Sequence, residues 1–74
     1  NIAERAYRNS RKDYLHFLYM ARGSSAETAY FIHLSNRLGY FKTDTHALLA
    51  AQADEASRVL AGLIRSVESE IGES

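Results

Sequence analysis

The last third of the chain carries the most regular alternation of apolar and polar positions. Leu49, Ala53, Ala56, Leu60, Leu63 and Val67 recur at steps of three and four, flanked by Val59 and Ile64. Gln52, Asp54, Glu55, Arg58, Arg65, Glu68 and Ser69 take the positions between them. That spacing holds one apolar stripe on one side of an α-helix, and predicts an amphipathic bundle helix with a coiled-coil-like seam. The helix is expected over residues 44–70, with Thr43 or Asp44 as its cap and Gly72 just beyond its end.

A longer helix is predicted over residues 11–38, opened by Ser10 with Asp13 three positions on and closed by Gly39 as a left-handed cap. Its pattern is different. At 100° per residue, Tyr14, Phe17, Leu18, Ala21, Ser25, Thr28 and Ile32 fall along one side. Leu15, Tyr19, Ala26, Tyr30 and His33 form a second stripe, roughly opposite Phe17 and Thr28, and Met20, Phe31 and Leu38 fill part of the remainder. A helix that is apolar on more than one side is covered on more than one side. One stripe is expected to pack within the chain; Leu15, Tyr19, Ala26, Tyr30 and His33 are the candidate oligomer interface, unless a further segment covers them. Gly23, Ser24, Ser25 and Ala26 cluster near the middle of this helix, and Gly62 lies in the last one. Either a neighbouring helix approaches closely at these glycines, or they are simply tolerated at about 1 kcal/mol each.

Residues 1–8 read as a short helix of their own, with Asn1 as cap and Glu4 in the capping-box position. The three helices make one all-α domain over residues 1–74. A domain of this length buries only about 60% of the surface its unfolded chain exposes, and chains of such size usually need a staple. With no cysteine, a disulfide framework and thiolate metal sites are excluded. Association with further copies is the staple that remains. Apolar residues make up 46% and charged residues 24%, an ordinary soluble composition. No run approaches the roughly 20 apolar residues of a membrane span and no signal peptide is visible, so the expected location is the cytoplasm. The chain opens on Asn1 rather than methionine, as a processed form or a piece of something longer would.

Charge changes the picture further. The net charge is zero, but residues 1–42 hold seven Lys/Arg against three acids and residues 43–74 hold two against six. This asymmetry suits head-to-tail pairing of subunits or an anionic partner for the basic half; it is also what solvated faces of different sign look like. Arg5, Arg8, Arg11 and Lys12 fall within eight residues. Two of them sit in the first turn of the long helix, where the dipole favours anions instead. Arg11, Lys12, Arg22 and Arg37 share an arc of about 100° on the ideal wheel, interleaved with Tyr19 and Tyr30. Arg8, Arg11, Lys12, Arg22 and Arg37 are therefore the candidate contacts for RNA or DNA. Against them stand pairing of Arg22 with Glu27, packing roles for the tyrosines, and the zero net charge.

Little else suggests chemistry. His16, His33 and His46 lack close metal spacing. His16 with Asp13 could hold a divalent ion weakly, but all three read as surface or interface histidines. No nucleophile elbow, phosphate loop or dinucleotide fingerprint occurs, and Asp54, Glu55, Glu68 and Glu70 lie on polar faces. No catalytic residue, cofactor, metal or small-molecule substrate is expected.

Taken in order, several segments resemble one bacterial family. They are Asn1-Ile2-Ala3-Glu4, Arg8, Ser10, Asp13-Tyr14-Leu15, Phe17-Leu18, Ala21-Arg22-Gly23-Ser24, Ala26-Glu27, Arg37-Leu38-Gly39-Tyr40 and Gly62-Leu63-Ile64-Arg65-Ser66. The family is that of the four-helix bundle proteins of intervening sequences in 23S ribosomal RNA genes. The resemblance covers nearly the whole chain, though no single motif in it is specific. It implies an up-and-down four-helix bundle assembling as a ring-like homopentamer, with no established activity. A structurally similar relative is the accessory protein of diversity-generating retroelements, a basic pentamer that binds nucleic acid and a reverse transcriptase. Two departures stand out: the family's long first helix and its Ile-Pro-Ser-like turn do not precede Asn1, and Arg5 stands where glycine is usual. The combined expectation is a non-catalytic homo-oligomeric bundle, a pentamer by resemblance, with a scaffold or adaptor role; RNA or DNA binding is the alternative.

Overall fold

Between Ile2 and Arg37 nothing interrupts a helical backbone: proline is absent, and Gly23 is the only glycine. A computed structural model, describing residues 1–73, accordingly shows one helix where two were expected. Helix α1 runs over Ile2–Arg37 and α2 over Thr43–Glu73, joined by residues 38–42. The expected break at Asn9 and Ser10, between a helix over 1–8 and one over 11–38, is absent. Asn and Ser cost a helix only a few tenths of a kcal/mol each. An i,i+4 bond also spans the join, with Arg11 Nε and Nη2 donating to the Tyr7 hydroxyl at 3.2 and 3.1 Å.

The ends are made as the sequence suggests, with one change. The Asn1 side chain accepts from the Ala3 N–H at 2.8 Å. At the other end of α1, Gly39 adopts φ +82°. Its N–H then reaches the Asn36 carbonyl and that of Tyr40 the Ser35 carbonyl, both at 3.0 Å, closing the helix in a Schellman pattern. The change is at α2. Its first turn is closed by His46 N–H on the Lys42 carbonyl at 2.9 Å, so the chain enters the helix one residue before Thr43. Asp44 lies within that turn and accepts from Thr45 N–H.

The two helices pack against each other in one antiparallel seam. On α1 it follows 11-15-18-22-25-29-32-36 and on α2 46-50-53-57-60-64-67-71, strict 4-3 spacings in which all but Arg22 and Ser57 are at least half-buried. The register is fixed by Ser25 Oγ and Ser57 Oγ at 3.4 Å, and by the core of Leu18, Ile64 and Val67 with Leu15, Leu60 and Ile71 packed on it. Residues 1–10 reach past the end of α2, and all are exposed.

The described residues thus hold two helices and no strand, an all-α chain measuring 57 × 15 × 14 Å. The two helices form a single antiparallel hairpin. Its radius of gyration, 16.9 Å, exceeds the roughly 11 Å of a compact chain of this length. Its accessible surface is 5765 Å², about 1,200 Å² more than a compact monomer of its mass presents.

The two glycines of α1 and its cap give opposite expectations. An added Cβ would meet nothing within 4 Å at either Gly23 or Gly39, but only Gly39 has positive φ. Gly39→Ala should therefore lower stability by about 1–2 kcal/mol, while Gly23→Ala raises it by about 0.5–1 kcal/mol. Urea midpoints of the two variants check both signs. A loss at Gly23 would mean that a neighbour lies within reach of that backbone.

Candidate functional site

The seam divides the rest of the hairpin into two sides. On one side α1 and α2 leave an open groove of ≈ 500 Å³, lined by Ala21, Ser24, Ser25, Thr28 and Ile32 from α1 and Leu49, Gln52, Ala53 and Ala56 from α2. None of these is charged. Small residues form its floor because the helices present Ala or Ser at most of the turns that flank the seam there. Large apolar side chains continue the same side in both directions: Tyr14, Phe17 and Phe31 on α1, Val59 and Leu63 on α2, exposed by 39–59%.

The opposite side is polar and mainly cationic. The Tyr19 hydroxyl donates to Glu68 Oε2 at 2.6 Å, tying α1 to α2 on that side. Arg22 lies over the Tyr19 ring, its Cζ 5.1 Å from the centroid. By helical register Arg8, Lys12 and Arg37 fall on the same flank of α1, with Arg58 and Arg65 toward it on α2. Arg58 is engaged with Glu55 at 3.1 Å. Farther along, His33, His46 and Asp54 border a smaller cavity of ≈ 240 Å³ over Ala29, Ala50 and Ala53. Among the described residues no group of three or more His, Cys, Asp or Glu could hold a metal ion, and no helix is long and apolar enough to cross a membrane.

The residues singled out from sequence are divided by this arrangement. Of the candidate nucleic-acid contacts, Arg8, Lys12, Arg22 and Arg37 are exposed, while Arg11 sits in the seam. Its Nε lies 2.9 Å from Glu70 Oε2. The bond to Tyr7, then Glu70, hold its guanidinium charged and push its pKa upward. Arg22 stacks on the Tyr19 ring, whereas pairing with Glu27 was the alternative left open from sequence. Of the candidate interface residues, Leu15 packs on the core within the chain and Tyr19 is bonded to Glu68. Ala26, Tyr30 and His33 are exposed on the cationic side, and Tyr30 meets Phe31 edge-on at 5.7 Å. The groove residues Ser24, Gln52 and Ala56 were not among the candidates. The 4-3 spacing of α1, read as a heptad rather than on an ideal wheel, is the signal that locates them.

Compared with known proteins, residues 1–62 match the family described as 23S rRNA-intervening sequence protein. No curated protein and no solved structure matches the chain.

The Tyr19–Glu68 bond makes its own pH signature. Accepting from the hydroxyl, Glu68 holds the proton on Tyr19 and raises its pKa above the ordinary 10.0, with partial burial and the carboxylate charge adding to the effect. A raised pKa means that the bond's contribution to stability is complete below pH 10 and is lost as pH rises through the higher folded value. Spectrophotometric titration should show a late-ionising tyrosine that disappears in Tyr19→Phe and moves down in Glu68→Gln. Unchanged titration in Glu68→Gln would mean that the bond does not form in solution.

Proposed function

We propose that this chain, which belongs to the 23S rRNA-intervening sequence protein family, works without catalysis as a self-associating helical bundle of the cytoplasm with a scaffold or adaptor role. One observation carries the reading: the apolar side of the hairpin is uncovered. Among the described residues Leu18, Ile64 and Val67 are the only buried hydrophobic ones, too few to stabilise a domain at a typical 5–15 kcal/mol. Phe17, Phe31 and Val59 meanwhile stand more than half exposed along a charge-free groove. Exposed apolar surface of that extent marks an interaction site. The resemblance drawn from sequence adds a ring of five as one subunit count.

Static light scattering at micromolar concentration tests the reading. The expected mass is a multiple of the chain's 8.3 kDa, with thermal stability that rises with protein concentration. A stable monomer overturns it.

A second reading, RNA or DNA binding, draws support from the cationic side. Arg8, Lys12, Arg22 and Arg37 are exposed there, away from the groove, so nucleic acid and a second copy need not compete for one surface. Reversing charge at Arg8, Lys12 and Arg37 should then weaken binding of a labelled RNA or DNA duplex and flatten its salt dependence, each lost phosphate contact removing about 0.9 from the slope of log K against log salt. Reversal at Arg11 should act mainly on stability, because its partner is Glu70. Equal affinity for the reversed and original proteins rules this reading out.

A further inference from the structure

We propose that the cationic side of α1 is a track for single-stranded RNA, with Arg22 and Arg37 holding phosphates and the Tyr30 ring between them stacking on a base. The inference rests on the nucleic-acid reading above and names the form of nucleic acid that this side takes.

The track follows from register. Tyr19, Arg22, Ala26, Tyr30, His33 and Arg37 succeed one another at steps of three and four, which sets them in one file along the helix. Arg8 and Lys12 continue that file toward the N-terminus. The acidic residues of α1 are Glu4, Asp13 and Glu27, and none of them falls in it. Two carboxylates approach from α2. Glu68 is taken up by the Tyr19 hydroxyl at 2.6 Å, and Asp54 borders the cavity beside His33 and His46. Among the described residues no carboxylate pairs with Arg8, Lys12, Arg22 or Arg37. Four such cations in one line suit a chain of phosphates.

The two tyrosines of the file differ in what their rings can do. Tyr19 is already covered, with Arg22 Cζ 5.1 Å from its centroid. That stack uses the flat face of the guanidinium and leaves its N–H edge to donate to a phosphate. Tyr30 is 60% exposed. Its ring neighbour, Phe31, meets it edge-on with the planes 66° apart, so Phe31 does not lie flat on it. Along the axis Tyr30 stands about 12 Å from Arg22 and about 10 Å from Arg37. A ring held in water between two cations is best covered by a flat partner that itself carries negative charge. A nucleotide is both.

Base pairing decides the form. In a duplex the base faces stack on one another and only their edges reach a protein, so Tyr30 would meet no base face. An unpaired strand offers the face and the phosphate together. Unpaired bases are a standing feature of RNA loops, bulges and ends, which selects RNA. With a net charge of zero the chain exerts little long-range pull on phosphates, and stacking carries a larger share of the affinity.

Fluorescence anisotropy at low salt tests the track, using a labelled oligouridylate of about 16 nucleotides, alone and annealed to its oligoadenylate complement. The single strand is expected to bind roughly tenfold tighter than the duplex, with Tyr30→Ala removing that advantage and Tyr30→Phe retaining it. The chain has no tryptophan, so Tyr30→Trp supplies a lone reporter whose emission should be quenched as unlabelled oligouridylate saturates the protein. That readout stands even if Tyr30→Ala fails to fold. The same strand as DNA should bind nearly as well, since neither contact reads the sugar; a preference for the DNA strand overturns RNA as the ligand. Duplex bound as tightly as single strand, with Tyr30→Ala unchanged and no quenching in Tyr30→Trp, overturns the track and leaves binding by charge alone standing. No binding of either probe overturns both.

Discussion

The seam between α1 and α2 is the contact on which everything else in this chain depends. Each helix places one residue against the other every three and four positions, from Arg11 to Asn36 and from His46 to Ile71. Only the part farthest from the loop is well filled, where Leu18 meets Ile64 and Val67 with Leu15, Leu60 and Ile71 around them. Toward the loop the seam narrows to Ser25, Ala29, Ala50 and Ala53. Small side chains bring less apolar area out of water, and stabilisation scales with that area at about 25 cal/mol per Å². The hairpin is thus held firmly at one end of its overlap and lightly at the other. The polar ties Arg11–Glu70 and Tyr19–Glu68 lie at the firm end. Being partly exposed, they fix register more than they add stability.

Because two helices in contact bury only one stripe each, the seam leaves two sides, and their chemistry differs. One is a charge-free groove with aromatic and aliphatic flanks; the other carries most of the free cations. A protein that must both associate and remain soluble gains from that separation, since apolar surface can be covered while charge stays in water. The same division explains why the net charge of zero says little about the surface a partner meets: cations and anions are distributed by helix and by side.

Much of this was legible in the sequence. The α2 stripe through Leu60 and Val67, the Asn1 cap and the Gly39 closure are all local signals, and each appears as the pattern implies. Phase was harder. On an ideal wheel Leu63 and Ala56 read as central and Ile64 as a flank, yet Ile64 is buried and Leu63 is 39% exposed. An α-helix of 3.6 residues per turn drifts about 20° per heptad against a 3.5 repeat, so over three or four heptads a wheel-based stripe slides off the seam. The same drift put Leu15 on an outer stripe and Tyr14 and Phe17 on the inner one. Joining residues 1–8 to the long helix was missed for another reason. Ser10 looks like a cap by type, but a cap forms only where the backbone leaves the helix, and nothing there forces it to.

The sequence by itself determined that this chain is helical, where its hairpin turns, and that it has more apolar surface than two helices can hide. Those follow from propensity, capping chemistry and composition, which act within a few residues. Which apolar residues lie in the seam and which face the groove was decided only by the tertiary structure. Packing selects one supercoiled register between two helices, and a shift of one position moves a side chain by 100° around its axis. Leu15, Ile64 and Arg11 found their places in that register, and the groove beside them exists because of it.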